Sequence, residues 1–66
     1  MNGDYQVLKQ LHRFTEGTRT ADVYLVQGKE RFLVLYYDAM DDFNDADYFN
    51  NETKAEESAE NWVMRA

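Results

Sequence analysis

The chain has 66 residues, with 13 Asp and Glu against 7 Lys and Arg, one His, no Cys and no Pro. That length holds one small domain over residues 1–66, with no room for a second core and no disulfide to brace it. A net charge of −6 argues against binding to DNA, RNA or an anionic membrane, each of which calls for a basic face.

Residues 4–14 (DYQVLKQLHRF) read in two ways. As a helix, Asp4 would cap it and Val7, Leu8 and Leu11 would share a face, with Gln, Leu and Lys as favourable residues. As a strand, they would pair backward through a tight turn at Thr15-Glu16-Gly17-Thr18. The closely spaced turns that follow favour the strand, expected near residues 5–14 with no register assigned.

A second turn at Gln27-Gly28-Lys29-Glu30 does fix a register. With Gly28-Lys29 as a two-residue loop, Leu25 faces Phe32, Val23 faces Val34 and Ala21 faces Tyr36. One side of this hairpin (strands near 19–27 and 30–37) then carries Ala21, Val23, Leu25, Phe32, Val34 and Tyr36 without a charge. The other side is mixed: Asp22, Tyr24, Val26, Arg31, Leu33 and Leu35. A half-buried antiparallel pair has this division, and its β-branched and aromatic residues suit strands.

Residues 38–51 (DAMDDFNDADYFNN) are acidic, but a plain linker has no need of Met40, Phe43, Tyr48 and Phe49. Asp41-Asp42 with Asn44-Asp45 predicts a turn, followed by a short fourth strand at 46–50. A helix follows near 52–64, capped by Asn51 with Glu52 in its positive first turn. Ala55, Ala59, Trp62, Val63 and Ala66 form its apolar stripe together with Ser58, and Arg65 suits its negative end. The fold predicted is α+β: an antiparallel β-meander of three to four strands with one C-terminal α-helix packed on one face.

The residue inventory argues against catalysis. His12 is the sole imidazole, no thiol exists, no hydroxyl sits in a nucleophile-elbow context and no glycine-rich phosphate loop is present. The expectation is a non-enzymatic protein with no cofactor. The Asp run also fails as a calcium loop. Counted from Asp38, the position needing Gly is Phe43 and the twelfth residue is Phe49; counted from Asp41, the twelfth residue is Glu52 as required, but the Gly position is Ala46, so the Gly is missing either way. No metal is expected.

Charge is divided along the chain. Residues 1–37 carry Lys9, Arg13, Arg19, Lys29 and Arg31 against Asp4, Glu16, Asp22 and Glu30, a net +1. Residues 38–66 carry nine acids against Lys54 and Arg65, a net −7. Asp38, Asp41, Asp42, Asp45 and Asp47, joined by Glu56, Glu57 and Glu60, are expected to line one edge, with Tyr37, Phe43 and Tyr48 as aromatic anchors. Carboxylates so spaced steer a basic partner and imitate a phosphate backbone, while aromatics anchor it. The blander reading is a solvated acidic surface with those rings in the core. A second candidate surface is the mixed sheet face, where Tyr24, Val26, Leu33 and Leu35 invite self-association into a homodimer.

No apolar run nears the roughly 18 residues of a membrane span, and the first residues lack a signal peptide's basic and apolar regions. A cytoplasmic protein is expected.

The strand opened by TRTADVY, the strand closed by FLVLYYD and the helix in YFNNETKAEESAENWV, with its Ala…Ala…Trp spacing, together resemble small acidic bacteriophage-encoded proteins. The resemblance covers most of residues 5–64 and is one of pattern. It implies a host-takeover or anti-defence factor that binds a host protein or protein complex and blocks or redirects it, with no catalytic residues to carry over. The strand–strand–strand–helix order also resembles a reduced double-stranded-RNA-binding fold, but the helix start Asn51-Glu52-Thr53-Lys54 lacks the basic cluster of RNA binders.

Overall fold

The structure, a computed structural model, describes residues 6–65. Asp4, considered above as a helix cap, residue 5 of the first strand and Ala66 of the helix stripe lie outside the described residues. Four strands follow in order: β1 (Val7–Glu16), β2 (Arg19–Val26), β3 (Phe32–Asp38) and β4 (Phe43–Phe49), then the helix α1 (Glu52–Met64). Each strand pairs antiparallel with the next, giving the sheet order β1-β2-β3-β4 with α1 packed across one face. This is the α+β meander that the apolar pattern predicts.

The β2–β3 register is the predicted one: Leu25 pairs with Phe32, Val23 with Val34 and Ala21 with Tyr36. The loop is wider than two residues: residues 27–30 leave the ladder, and Val26 N–H closes it by donating to Arg31 C=O at 2.8 Å in the same register. Between a helix and a strand near residues 5–14, the described residues resolve in favour of the strand, with residues 7–14 in β1. Its ladder with β2 shifts register between Val7 and Lys9 and again between Gln10 and His12, which leaves Leu8 and Leu11 as extra residues.

The β1–β2 loop is Gly17-Thr18, closed by the pair Glu16–Arg19. Gly17 has φ 60, the left-handed value that the first loop position of a type II′ hairpin demands. A Cβ at Gly17 would meet nothing within 4 Å, so only backbone strain opposes a side chain there. Gly17→Ala is therefore expected to cost about 1 kcal/mol, seen as a melting temperature roughly 4–8 °C lower. Gly17→Asn should recover much of the loss, because Asn tolerates this conformation.

The fourth strand starts three residues earlier than predicted, at Phe43. Residues 39–42 form the turn, with Asp42 at φ 51, and the pair Asp38–Phe43 closes it. Asn44 and Asp45, expected in the turn, lie in the ladder opposite Tyr37 and Tyr36. Cross-strand pairing with aromatic neighbours overrides their weak strand preference.

Helix α1 starts as predicted: Asn51 is extended, and its side-chain oxygen accepts from Lys54 N–H at 3.1 Å. Ala55, Ala59 and Val63 are buried against Ala21, Val23, Val34 and Tyr36 of the sheet, with Leu11, Phe14, Phe32, Phe49 and Trp62 around them. The small alanines let the helix approach closely, and Trp62 fills the space beside them.

The helix end is fastened from the sheet. Arg19 on β2 donates through Nη1 to Trp62 C=O at 2.8 Å and through Nε to Asp38 Oδ2 at 3.2 Å. Its guanidinium carbon lies 4.8 Å from the centre of the Trp62 ring. One cation thus caps the negative end of the helix, pairs a carboxylate and stacks on an indole. Asp38 also accepts from the Thr18 hydroxyl at 2.7 Å and from Met40 N–H at 3.0 Å.

Candidate functional site

The sheet presents two faces, and strand alternation decides which candidate falls on which. The β3–β4 register pairs Val34 with Asp47 and Tyr36 with Asp45, so Phe43, Asp45 and Asp47 point to the helix side. Asn44, Ala46 and Tyr48 point to the other side with Tyr37, Leu35 and Leu33.

On the helix side, β4 and the last turns of α1 bound a groove of about 300 Å³. Tyr36, Trp62 and Phe43 supply its apolar surface, and Asp45, Asp47, Ser58, Asn61 and Arg65 its polar one. Trp62 lies edge-on to Tyr36 with ring centres 5.2 Å apart and stacks on Phe43 at 6.2 Å. The Tyr36 hydroxyl and the Ser58 hydroxyl share a hydrogen bond of 2.7 Å. Burial pushes the Tyr36 phenol above its ordinary value, the Ser58 bond works against that, and the charges of Asp47 and Asp45 add to it. Two carboxylates and one guanidinium share the groove, so it is net negative. Phe43 keeps 42% of its surface exposed.

On the opposite side, Leu35, Tyr37, Asn44 and Ala46 line a shallow hollow of about 480 Å³, with Asp22, Tyr36 and Asp45 also contributing to its lining. Asp22 is engaged there: Arg13 donates to it through Nε at 2.6 Å and through Nη2 at 3.2 Å, and Gln10 donates at 3.3 Å. Tyr37 and Tyr48 are each 40% exposed on this side. The three proposed aromatic anchors are therefore divided, Phe43 on the helix side and the two tyrosines on the other.

The acidic residues are divided as well. Asp41 and Asp42 in the turn, with Asp45 and Asp47 on β4, run along one edge of the molecule, and all four are exposed. Asp38 does not join them. It is only 6% exposed and its carboxylate already takes hydrogen bonds from Thr18, Met40 and Arg19. The Thr18 bond is the main reason its carboxyl lies below the ordinary value, with Met40 and Arg19 adding to the effect against burial.

Glu56, Glu57 and Glu60 stand apart from the β4 edge. At roughly 100° per residue, Glu56 and Glu60 occupy the helix flank opposite Ser58, Asn61 and Arg65. Glu56 shares a hydrogen bond with Glu52, which raises its carboxyl above the ordinary value; burial and the Glu52 charge add, and the charge of His12 on β1 opposes. Glu57 is exposed on the outer side of the helix. The single continuous edge expected from the sequence is in fact an acidic β4 edge and a separate glutamate flank over β1.

Of the four residues considered for self-association, Val26 and Leu33 are buried within the chain at 1% and 0% exposure. Leu33 pairs with Tyr24 on one side and Tyr48 on the other. Tyr24 and Leu35 are half-buried.

Among the described residues, no three of His, Asp and Glu converge in a way that would hold a metal ion. Residues 43–49 of the acidic run form a strand and not a looped cage. Among the same residues, no helix is long and apolar enough to cross a membrane. The groove residues that sequence reasoning assigned to no site are Tyr36, Ser58, Asn61, Trp62 and Arg65, and Arg19 is the cation it missed against Trp62. Compared with known proteins, the chain matches no family model, no curated protein and no solved structure.

Proposed function

We propose that the chain is a non-enzymatic binding factor, acting in the cytoplasm, whose acidic β3–β4 edge docks on a basic surface of a protein partner and inhibits or redirects it. The observation that carries this reading is the coincidence, on one open edge, of four exposed carboxylates (Asp41, Asp42, Asp45, Asp47) with a half-exposed Phe43. Charge brings the partner in and the ring anchors it. The resemblance to small acidic phage proteins supplies the outcome, interference with a host enzyme or defence complex. Where the partner's basic surface is one that holds nucleic acid, the same carboxylates compete with phosphates for it. Asp38, Glu56, Glu57 and Glu60 have no part in this interface.

The test compares the wild-type chain with a variant carrying Asn at positions 41, 42, 45 and 47, both used as bait in lysate from the native host. A partner retained by wild type at low salt should bind the variant at least tenfold more weakly. Its affinity should also fall less steeply with salt. Equal affinity and equal salt dependence would refute the proposal.

The self-association reading draws less support. Val26 and Leu33 already sit inside the chain. A dimer formed by antiparallel pairing of β4 with its copy would bring Asp45 and Asp47 against like charges, a repulsive arrangement. Light scattering at high concentration should give the mass of a monomer; a dimer mass would revive this second reading.

A further inference from the structure

β4 is the last strand of the sheet, so among the described residues its outer edge has no ladder partner. An edge of this kind exposes backbone donors and acceptors ready to pair with another chain. Ala46 N–H donates to no strand there but to the side-chain Oδ1 of its neighbour Asp45, at 2.9 Å. Alternation along an antiparallel strand then turns the amides of Asn44 and Ala46 outward and those of Phe43, Asp45, Asp47 and Phe49 toward β3.

The two sides of this edge differ in chemistry. Above it lies the net negative groove with Asp45, Asp47 and Phe43. Below it lies the hollow of Leu35, Tyr37 and Ala46. A strand laid along β4 would send its side chains alternately into the groove and over the hollow. Building on the function proposed above, we infer that the partner segment is an extended strand of alternating basic and apolar residues that adds to β4 as a fifth strand. Its backbone would take up the outward amides and carbonyls, its Lys or Arg side chains would meet Asp45 and Asp47, and its apolar side chains would cover Leu35 and Tyr37. This is strand addition, in which main-chain bonds give affinity and alternate side chains give specificity. The like charges that repel a second copy of β4 select a basic strand in its place.

The probe is a short blocked synthetic peptide of alternating Lys and Val, set against an isomer of the same composition with its lysines in one block and its valines in another. Titrated into labelled full-length chain, the alternating peptide should move the amide resonances of Asn44 and Ala46 and bind about tenfold tighter than the block isomer. Ala46→Pro removes an outward donor at an edge position where proline is tolerated, and it leaves every carboxylate in place. That variant should lose the alternating peptide. A second probe, the alternating peptide N-methylated at every other residue on its pairing side, should fail against the wild-type chain, which keeps the test decisive even where the proline disturbs the fold. Equal binding of the two isomers, shifts centred on β1, or undiminished binding of the methylated peptide would overturn strand addition. A natural partner that is lost with the four Asn substitutions but kept by Ala46→Pro would leave the acidic interface standing and remove strand addition alone.

Discussion

Trp62→Ala is expected to remove about 3 kcal/mol of stability, in a domain whose total is on the order of 3–10 kcal/mol. Trp62 is where the helix, the groove and the sheet meet. Its ring packs edge-on to Tyr36, stacks on Phe43 and carries the Arg19 guanidinium on a face. Truncation removes all three contacts and leaves a void beside Ala59 and Val63 that a 13-residue helix has little means of closing. Its cost should exceed that of any surface change, at roughly 12–24 °C of melting temperature for a domain of this size. Trp62→Phe, which keeps a ring against Tyr36 and Phe43 but offers a smaller face to Arg19, should lose less than half as much. Thermal melts followed by circular dichroism would check the order: wild type, then the Phe variant, then the Ala variant. An Ala variant melting within 3 °C or so of wild type would mean that the helix is held by its alanine stripe alone.

Arg19→Ala should come second, also costing about 3 kcal/mol. The loss has two parts. The helix C-terminus gives up the cation on Trp62 C=O, and Asp38 is left with an unpaired, largely buried charge. Asp38 makes this cluster sensitive to pH. Its carboxyl titrates below the ordinary value in the folded chain, first because of the Thr18 hydroxyl, so the folded state resists protonation more than the unfolded chain does. The stabilisation is therefore complete above the unfolded value, about pH 4. It fades as pH falls through the lowered folded value. Asp38→Asn should be less stable than wild type at neutral pH and should show a flatter loss of stability below about pH 4. Comparing the two proteins cancels the opposite trend of Glu56, whose raised carboxyl makes the folded state relatively less stable as pH rises. Parallel acid limbs for the two proteins would contradict the role given to Asp38.

The hairpin β2–β3 was legible because its turn fixed the phase and one face lacked charge. The same register, carried outward by one more pair on the helix side, sets Arg19 opposite Asp38. The clamp on the helix end was thus within reach of the sequence, and the composition of the acidic run obscured it by making Asp38 look like one of a series of surface carboxylates. The ambiguity of β1 has a physical source. Its two register shifts leave Leu8 and Leu11 unmatched, so Leu11 and Phe14 both reach the core at a spacing of three, which imitates a helix. The acidic run was misplaced because its turn could be set at several positions. Moving the start of β4 by one residue exchanges every side chain between the groove and the opposite face. Only the observed pair Asp38–Phe43 assigns Phe43, Asp45 and Asp47 to the groove and Tyr48 to the other side. The separation of Glu56 and Glu60 from Asp45 and Asp47 depends on how the helix is rotated over the sheet. That is visible in its Ala55, Ala59, Val63 stripe once the positions of β1 and β4 on either side are known.

Site-specific photo-crosslinking in the native host would locate the interface most directly. A photoreactive residue would be placed at Asn44 on the β4 edge, at Glu57 on the outer side of the helix, or at Gln10 on β1, all exposed positions. A single partner crosslinked from position 44 and from neither of the others is the result expected of an acidic β4 edge that binds. A partner captured from position 10 or 57, and not from 44, would contradict it.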